Sequence, residues 1–162
     1  MKINTIIALM AVLVAILAVS GCTSQTAPPQ KTQQTVPSDF SIEYTSEGGF
    51  AQTKEMITIS ANGNFKYEYL SLKDNKVVES YTGNLTAPEM EQLYNFTVNE
   101  NKFFSLPEEL GTGQCADGTS DYIKVQANGK THKSGHDSIN CVVDNSNFNN
   151  VLGKIHSYMK ST

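Results

Sequence analysis

The chain of 162 residues contains no arginine and no tryptophan, and it has only three cysteines. All 12 of its basic side chains are lysines, and 16 Asp and Glu residues outnumber them, which gives a formal net charge of -4. Nucleic-acid-binding proteins usually carry a basic stripe rich in arginine, so this composition excludes that class of partner. Neither GxxxxGK nor GxGxxG occurs. The phosphate-binding loops of P-loop and Rossmann enzymes are therefore excluded as well.

Long apolar runs are confined to the N-terminus, where Lys2 precedes unbroken apolar residues over 6–19. This run is shorter than the roughly 20 residues that span a bilayer, and it is typical of a secretory signal peptide. The segment Val19-Ser20-Gly21-Cys22 resembles the lipobox of secreted lipoproteins. The resemblance implies that residues 1–21 are removed and that Cys22 is lipidated, which would anchor the protein to the outer face of the cell membrane. An uncleaved anchor and a plain signal peptide are the alternatives.

Residues 23–38 contain three prolines, many Gln, Thr and Ser residues, and hardly any apolar side chains. Such a segment buries too little surface to fold, so residues 22–38 are interpreted as the lipidated cysteine and a flexible tether. Sixteen flexible residues reach roughly 20–25 Å on average and about 50 Å when stretched.

Apolar and polar residues alternate in two blocks of the remaining chain, as they do in half-buried strands. The block over residues 40–82 is divided by turns into four runs, and the block over residues 122–134 is divided into two. Asn62-Gly63 and Asn128-Gly129 are the clearest turns, because Asn-Gly pairs tolerate the positive φ that tight hairpins require. Six strands are predicted.

Two helices are also predicted. Thr86-Ala87-Pro88-Glu89 is a capping box with a proline in the first turn, which predicts a helix ending near Asn99. The order ββββαββα predicts a single α+β domain over residues 39–162, an antiparallel sheet with both helices packed on one face. The second helix has apolar residues at helical spacing, namely Phe148, Val151, Leu152, Ile155, Tyr158 and Met159.

Cys115 and Cys141 are the pair that remains if Cys22 is lipidated. Exported compartments are oxidising, so a disulfide between these two cysteines is expected. The chain-entropy model assigns about 3.5 kcal/mol to a loop of about 25 residues. A redox-active or metal-binding pair is the alternative, although the CxxC spacing is missing.

Ser134, His136 and Asp137 form the only sequence cluster that combines nucleophile, base and acid. A Ser-His-Asp triad needs a nucleophile on a sharp turn and an oxyanion hole, and nothing around Ser134 indicates either. His132 and His136 would share one face of a strand, but a metal site needs a further ligand, such as Asp137. We interpret these residues as a solvated loop and expect no catalytic residue, metal or cofactor.

Three weaker patterns each have two interpretations. Asp117-Gly-Thr-Ser-Asp121 has a faint likeness to a calcium loop, but a simple turn explains it equally. Asn84 and Asn95 begin N-glycosylation sequons, which matter only in a host that glycosylates exported proteins. The third pattern is a set of tyrosines that form either an exposed aromatic ladder or a core layer beneath the helices: Tyr44, Tyr67, Tyr69 and Tyr81.

Gly48-Gly49-Phe50 interrupts the first alternating block. Two glycines permit positive φ and close backbone approach, and a phenylalanine beside them offers an apolar anchor for a partner. The three residues therefore make a candidate binding site. The alternative is a β-bulge with Phe50 buried.

Four short segments carry a resemblance to a known family, over residues 42–50, 85–89, 102–104 and 120–125. They resemble the small protealysin-inhibitor family (emfourin) and uncharacterised lipoprotein domains of similar layout. This resemblance implies a compact α+β fold and, from the family's prototype, inhibition of thermolysin-like metallopeptidases. The chain differs by its lipobox, its Cys115 and Cys141 pair, and an extra hairpin over residues 71–81.

These observations favour a cell-surface lipoprotein with a non-enzymatic binding domain, whose partner is a secreted metallopeptidase or another envelope protein. One alternative is a scaffolding protein of the envelope. A hydrolase that uses Ser134, His136 and Asp137 is the other.

Intact-mass measurement of the protein from its native host tests the predicted processing. We expect the mass of residues 22–162 plus acyl groups on Cys22, less the two hydrogens that a Cys115–Cys141 bridge removes. Retention of Met1 with an unmodified Cys22 would contradict the proposed export.

Overall fold

The structure, a computed structural model, describes residues 35–111, 118–137 and 145–159. The predicted α+β class and the order ββββαββα are confirmed. The strands are β1 (Ser41–Gly48), β2 (Thr53–Ile59), β3 (Asn64–Ser71), β4 (Lys76–Asn84), β5 (Thr119–Ala127) and β6 (Lys130–His136). The helices are α1 (Ala87–Tyr94) and α2 (Ser146–Met159), with a π-helical segment at Asn95–Glu100 and a 3₁₀ turn at Phe103–Ser105.

The six strands form one antiparallel sheet in the order β4-β3-β2-β1-β5-β6. The chain enters this sheet at the start of β1, and we call that end of the sheet the entry end. The opposite end, which we call the tip end, holds the β1–β2 and β3–β4 turns together with the start of β5 and the last residue of β6. The two ends are separated by the length of β1, about 26 Å for eight extended residues.

Alternate residues of the strands point toward the helices and form rows across the sheet. Ile42 lies opposite Ile59 and Val125, and all three are buried. The phenol of Tyr158 on α2 donates a hydrogen bond to the carbonyl of Glu89 on α1, so the two helices pack beside each other. The helices close the core with Met90, Leu93, Phe148, Val151 and Ile155. The other side of the sheet, which we call the open face, carries mostly polar side chains.

The capping box predicted at the start of α1 is present. The carboxylate of Glu89 accepts hydrogen bonds from the backbone N–H and the hydroxyl of Thr86, both at 2.7 Å. These bonds hold the pKa of Glu89 below its ordinary value. The helical backbone continues past Tyr94 as the π-helical segment and ends at Glu100, one residue beyond the predicted end. Phe103 then fills the core.

Asp39 fixes the start of β1 to the β5–β6 turn. Its carboxylate accepts the N–H of Asn128 at 2.9 Å and the N–H of Gly129 at 2.6 Å, and these bonds lower its pKa. Both turn residues have positive φ, as predicted for an Asn-Gly hairpin. The segment that enters the domain is therefore bonded to the sheet before its first strand begins.

Gly83 shows how closely the helix side of the sheet is packed. It lies opposite Phe65, and a Cβ built at Gly83 overlaps the ring carbons of that buried side chain. We expect Gly83→Ala to lower the free energy of unfolding by about 1–3 kcal/mol, because the ring must move within a filled core.

Gly153→Ala is the matched control for this substitution. Gly153 lies inside α2 and a Cβ there meets nothing within 4 Å, so alanine should stabilise the protein by about 0.5–1 kcal/mol. Urea denaturation of both variants measures the two changes. Equal effects of the two substitutions would contradict the packing argument.

Candidate functional site

The β1–β2 loop at the tip end has a backbone that favours glycine. Gly48 and Gly49 have φ of 117° and 70°. The N–H of Gly49 donates to the carbonyl of Gly118 at 3.3 Å, and the N–H of Gln52 donates to the carbonyl of Gly49 at 3.1 Å. The loop therefore has a defined shape, which β5 supports from one side.

Phe50 stands at the apex of this loop and is 88% exposed. The alternative of a bulge with Phe50 buried is therefore not what the structure shows. Neighbouring residues are exposed too, and the N–H of Leu72 joins the two tip loops by donating to the carbonyl of Gln52 at 2.7 Å. We call the large apolar side chains that are exposed within residues 35–111, 118–137 and 145–159 the apolar tip: Phe50, Leu72, Val77 and Val78.

A groove on the open face adjoins the apolar tip. It encloses about 580 Å³, and its walls include Gly48, Gly49, Leu72 and Tyr122. Single exposed apolar side chains are common on soluble proteins, but four at one end beside a groove are typical of a contact surface. The predicted binding residues Gly48, Gly49 and Phe50 thus lie together with apolar residues that the sequence patterns did not single out.

A cluster of polar groups lies at the same end of the sheet, on the helix side. The phenol of Tyr44 donates to Asp121 Oδ1 at 2.9 Å, and the hydroxyl of Thr119 donates to Asp121 Oδ2 at 2.8 Å. His136 Nε2 lies 3.1 Å from the same Oδ2. We call these four residues the Asp121 cluster. Because Thr119 belongs to the segment that bonds Gly49, the cluster also supports the tip loop.

The pairing of Asp121 with His136 was missed by the sequence patterns, although the sequence holds a signal for it. Asn128-Gly129 predicts a two-residue turn, and such a turn fixes the register of the strands on both sides. Counting back along β5 and forward along β6 places His136 opposite Asp121, which is the register observed. The same counting does not reveal Tyr44, because β1 is remote in sequence.

Burial raises the pKa of the Tyr44 phenol well above its ordinary value, and the negative charge of Asp121 adds to this effect. Tyr44 therefore stays neutral and acts as a hydrogen-bond donor. His156 of α2 packs edge-on against the Tyr44 ring, with ring centroids 5.3 Å apart. Its Nε2 lies 3.3 Å from Glu55 Oε1 without the alignment of a hydrogen bond. A second histidine–carboxylate pair thus flanks Tyr44.

The interpretation of Ser134 and His136 as solvated loop residues was wrong. Both are buried, and β6 extends to His136 because that residue pairs with Asp121. The Ser134 hydroxyl donates to the carbonyl of Pro107 at 2.6 Å, while His136 Nδ1 lies 3.1 Å from the backbone carbonyl of Asp137. The structure therefore places neither Ser134 nor His136 as a hydrolytic triad requires.

His132 faces a different neighbour from His136. Its Nε2 lies 2.8 Å from the carbonyl of Leu106, and its ring contacts Phe103 and Phe104. Within the part of the chain that the structure describes, no three His, Cys, Asp or Glu side chains come together as a metal site requires. Asp117, the first residue of the calcium-loop pattern, lies outside that part, and Asp121 is engaged as described.

Three of the four tyrosines of the sequence pattern belong to the core or pack against it, as one of the two interpretations predicted, whereas the half-exposed Tyr69 does not. Tyr44, Tyr67 and Tyr81 share the helix side of the sheet. Tyr67 and Tyr81 stack with centroids 4.6 Å apart, and the phenol of Tyr81 lies 3.4 Å from the carbonyl of Met159 on α2. Burial, with the charges of Glu55 and Glu79, raises the pKa of Tyr67 to about 12.

The two sequon asparagines differ in environment. Asn84 is exposed at the end of β4 and its Nδ2 donates to Asn64 Oδ1 at 2.7 Å, whereas Asn95 is half-buried in the π-helical segment. Cys22, Cys115 and Cys141 lie outside the described residues. Among the helices that the structure describes, none has the length and apolar character needed to cross a bilayer.

Comparison of the sequence with known proteins assigns the chain to no family. None of the protein-family models matches the chain, and a search of curated proteins finds no match either.

Tyr44→Phe tests the Asp121 cluster. The folded protein binds the phenol proton more tightly than the unfolded chain does, so stability is full below pH 10 and falls as the pH rises above the ordinary tyrosine pKa of about 10. We expect the substitution to lower the free energy of unfolding by about 1–2 kcal/mol at neutral pH, because Asp121 loses a donor. Above pH 10 it should also reduce the loss of stability by about 1.4 kcal/mol per pH unit.

Urea denaturation between neutral and alkaline pH measures both effects. Tyr69→Phe is the matched control, since that half-exposed tyrosine lies on β3, outside the Asp121 cluster. An unchanged alkaline slope in the Tyr44→Phe protein would contradict the assignment.

Proposed function

We propose that this protein is an exported lipoprotein whose folded domain is a non-enzymatic binding module, and that it contacts a partner protein through the apolar tip. The exposure of Phe50, 88% at the apex of a hydrogen-bonded loop, is the observation that carries this proposal. Covering a large exposed apolar side chain with another surface removes it from water and is favourable, so such a side chain is typical of a contact surface.

The geometry of the loop supports a binding role. Its backbone is fixed by the bonds of Gly49 and Gln52, so little conformational entropy is lost when a partner covers Phe50. Aromatic anchors of this kind supply most of the affinity in many interfaces. Leu72, Val77 and Val78 add further exposed apolar surface at the same end of the sheet.

The direction of the chain favours a protein partner over the membrane itself. The tether joins the domain at the entry end, whereas the apolar tip lies at the opposite end, about 26 Å away along β1. In a protein anchored through Cys22, the point of attachment and the apolar tip therefore lie at opposite ends of the domain, which leaves the apolar tip accessible to soluble or envelope proteins.

The resemblance to the protealysin-inhibitor family supports a metallopeptidase as the partner, because the Gly48-Gly49-Phe50 segment is part of that resemblance. A rigid, exposed loop next to a groove is a form that an inhibitor presents to a peptidase cleft. A hydrolase receives less support, since the Ser134 hydroxyl is buried and bonded to Pro107.

Titration of a thermolysin-class peptidase with the full-length protein in detergent micelles tests this function. We expect inhibition at micromolar concentrations, and Phe50→Ala should weaken it by at least about 30-fold, or 2 kcal/mol, because the anchor is removed. Since Phe50 makes little contact with the fold, the free energy of unfolding should change by less than about 0.5 kcal/mol.

Lys130→Ala is the matched control, because Lys130 is exposed at the entry end. Absence of inhibition by the unsubstituted protein would remove the peptidase from the proposal. A partner captured from solubilised membranes in equal amounts by the Phe50→Ala protein would remove the apolar tip as the contact surface.

A further inference from the structure

The two edges of the sheet differ in how they are covered. At the β6 edge, Gly135 exchanges hydrogen bonds with a neighbouring segment, donating to the carbonyl of Glu108 at 3.1 Å and accepting from the N–H of Leu110. At the other edge, β4 pairs with β3 on its inner side, and no segment of the described residues pairs with its outer side. The strand is nine residues long and mostly exposed.

The backbone groups that β4 presents to solvent follow from the register. Just beyond the paired residues of β3 and β4, the N–H of Leu85 donates to the carbonyl of Gly63 at 2.9 Å. Gly63 and Leu85 are therefore a pair that bonds through its backbone groups. Bonded and non-bonded pairs alternate along an antiparallel ladder. Gly83 and Tyr81 therefore bond toward β3. Three residues direct their N–H and C=O groups outward, namely Ser80, Thr82 and Asn84.

Natural proteins usually protect such an edge with prolines, inward-pointing charges or a covering segment. β4 has no proline, and its protective features are limited to the charge of Glu79 on the helix side and the register shift near Val77 and Val78. Val77 and Val78 are 45% and 62% exposed, so the part of the apolar tip that they form lies on this edge. The edge therefore has both the hydrogen-bonding groups and the apolar side chains that strand addition uses.

The charge of Glu79 indicates which side chains an added strand would carry. Glu79 is exposed on the helix side of β4, in one row with Tyr69 and Glu55. Among the ion pairs of the described residues, Glu55 pairs with His156, and none involves Glu79. A strand added beside β4 brings one side chain next to Glu79, and a lysine or arginine there neutralises the carboxylate.

We propose that β4 accepts an extended segment of a partner protein as a seventh strand, with a basic side chain beside Glu79 and apolar side chains beside Val77 and Val78. This inference goes beyond the proposed function, because it adds backbone hydrogen bonds along the β4 edge, which shares only Val77 and Val78 with the apolar tip. A partner held at the apolar tip can continue directly onto this edge.

Two other occupants fit less well. A second copy paired antiparallel through β4 would place the two entry ends at opposite ends of the joined sheet. One tether would then have to run back along the domain to reach the same membrane. The chain's own residues 23–34 include Pro28 and Pro29, which lack backbone donors, and the first strand that follows them, β1, is three strands away from β4.

Amide hydrogen exchange, followed by NMR on the full-length protein in detergent micelles, tests the proposal. The probe is a nine-residue peptide of alternating threonine and valine with a central lysine. We expect this peptide to slow exchange at Ser80, Thr82 and Asn84 by at least about tenfold, because their amides become bonded. The amides of Tyr81 and Gly83, already bonded to β3, should not change. A peptide with glutamate in place of the lysine should bind at least about tenfold more weakly.

Two variants make the result specific. Ser80→Pro removes the backbone N–H of Ser80, which points to solvent, and leaves the bonds between Tyr81 and Tyr67 in place. It should therefore abolish the slowing of amide exchange by the peptide. Glu79→Lys should reverse the preference between the lysine and glutamate peptides, and it tests the edge even if the proline variant does not fold.

Three results would overturn the proposal. The first is an absence of protection at roughly 1 mM peptide, the weakest affinity that a specific contact would show. The second is protection without peptide that grows with protein concentration, which would assign the edge to a second copy. The third is protection without peptide that disappears when residues 23–34 are deleted, which would assign it to the tether. None of these results depends on peptidase inhibition, so this proposal and the proposed function can fail separately.

Discussion

The register of β1 is the constraint on which the rest of the structure depends. β1 pairs with β2 on one side and β5 on the other, and its alternate residues Ile42 and Tyr44 form the middle of the core. A shift of one residue would turn both side chains to the open face and separate Tyr44 from Asp121. The core, the buried polar cluster and the apex of the tip loop are therefore all set by a single alignment.

Much of this architecture could be predicted from local sequence. The period-two alternation, the two Asn-Gly turns and the capping box at Thr86 were sufficient for the element order, because each acts through neighbouring residues. The end of the first helix was placed near Asn99, although its last six residues are π-helical. The order of strands across the sheet follows from hairpin connections except for β5. That strand pairs with β1 across a long connection.

The candidate site was predictable only in part, for a physical reason. Gly48-Gly49-Phe50 was recognisable, but whether Phe50 is buried depends on what lies beyond the loop, and no short pattern contains that information. Leu72, Val77 and Val78 look like ordinary strand residues until the sheet brings their hairpin to the same end. The Asp121 cluster joins Tyr44 to Asp121, 77 positions away. The burial of His136 in this cluster, and of Ser134 against Pro107, also depends on contacts that are distant in sequence or set by the register of β6.

The position of β1 also has a mechanical consequence for a tethered protein. Under the proposed anchoring, the tether pulls at Phe40 and a bound partner pulls at Phe50. The backbone of β1 connects those two points. Tension between membrane and partner then travels along the backbone of β1, while the flanking ladders and the carboxylate of Asp39 resist sliding in shear. The strands and helices beyond these neighbours of β1 lie outside the direct line between the two points, so traction on the complex loads them least.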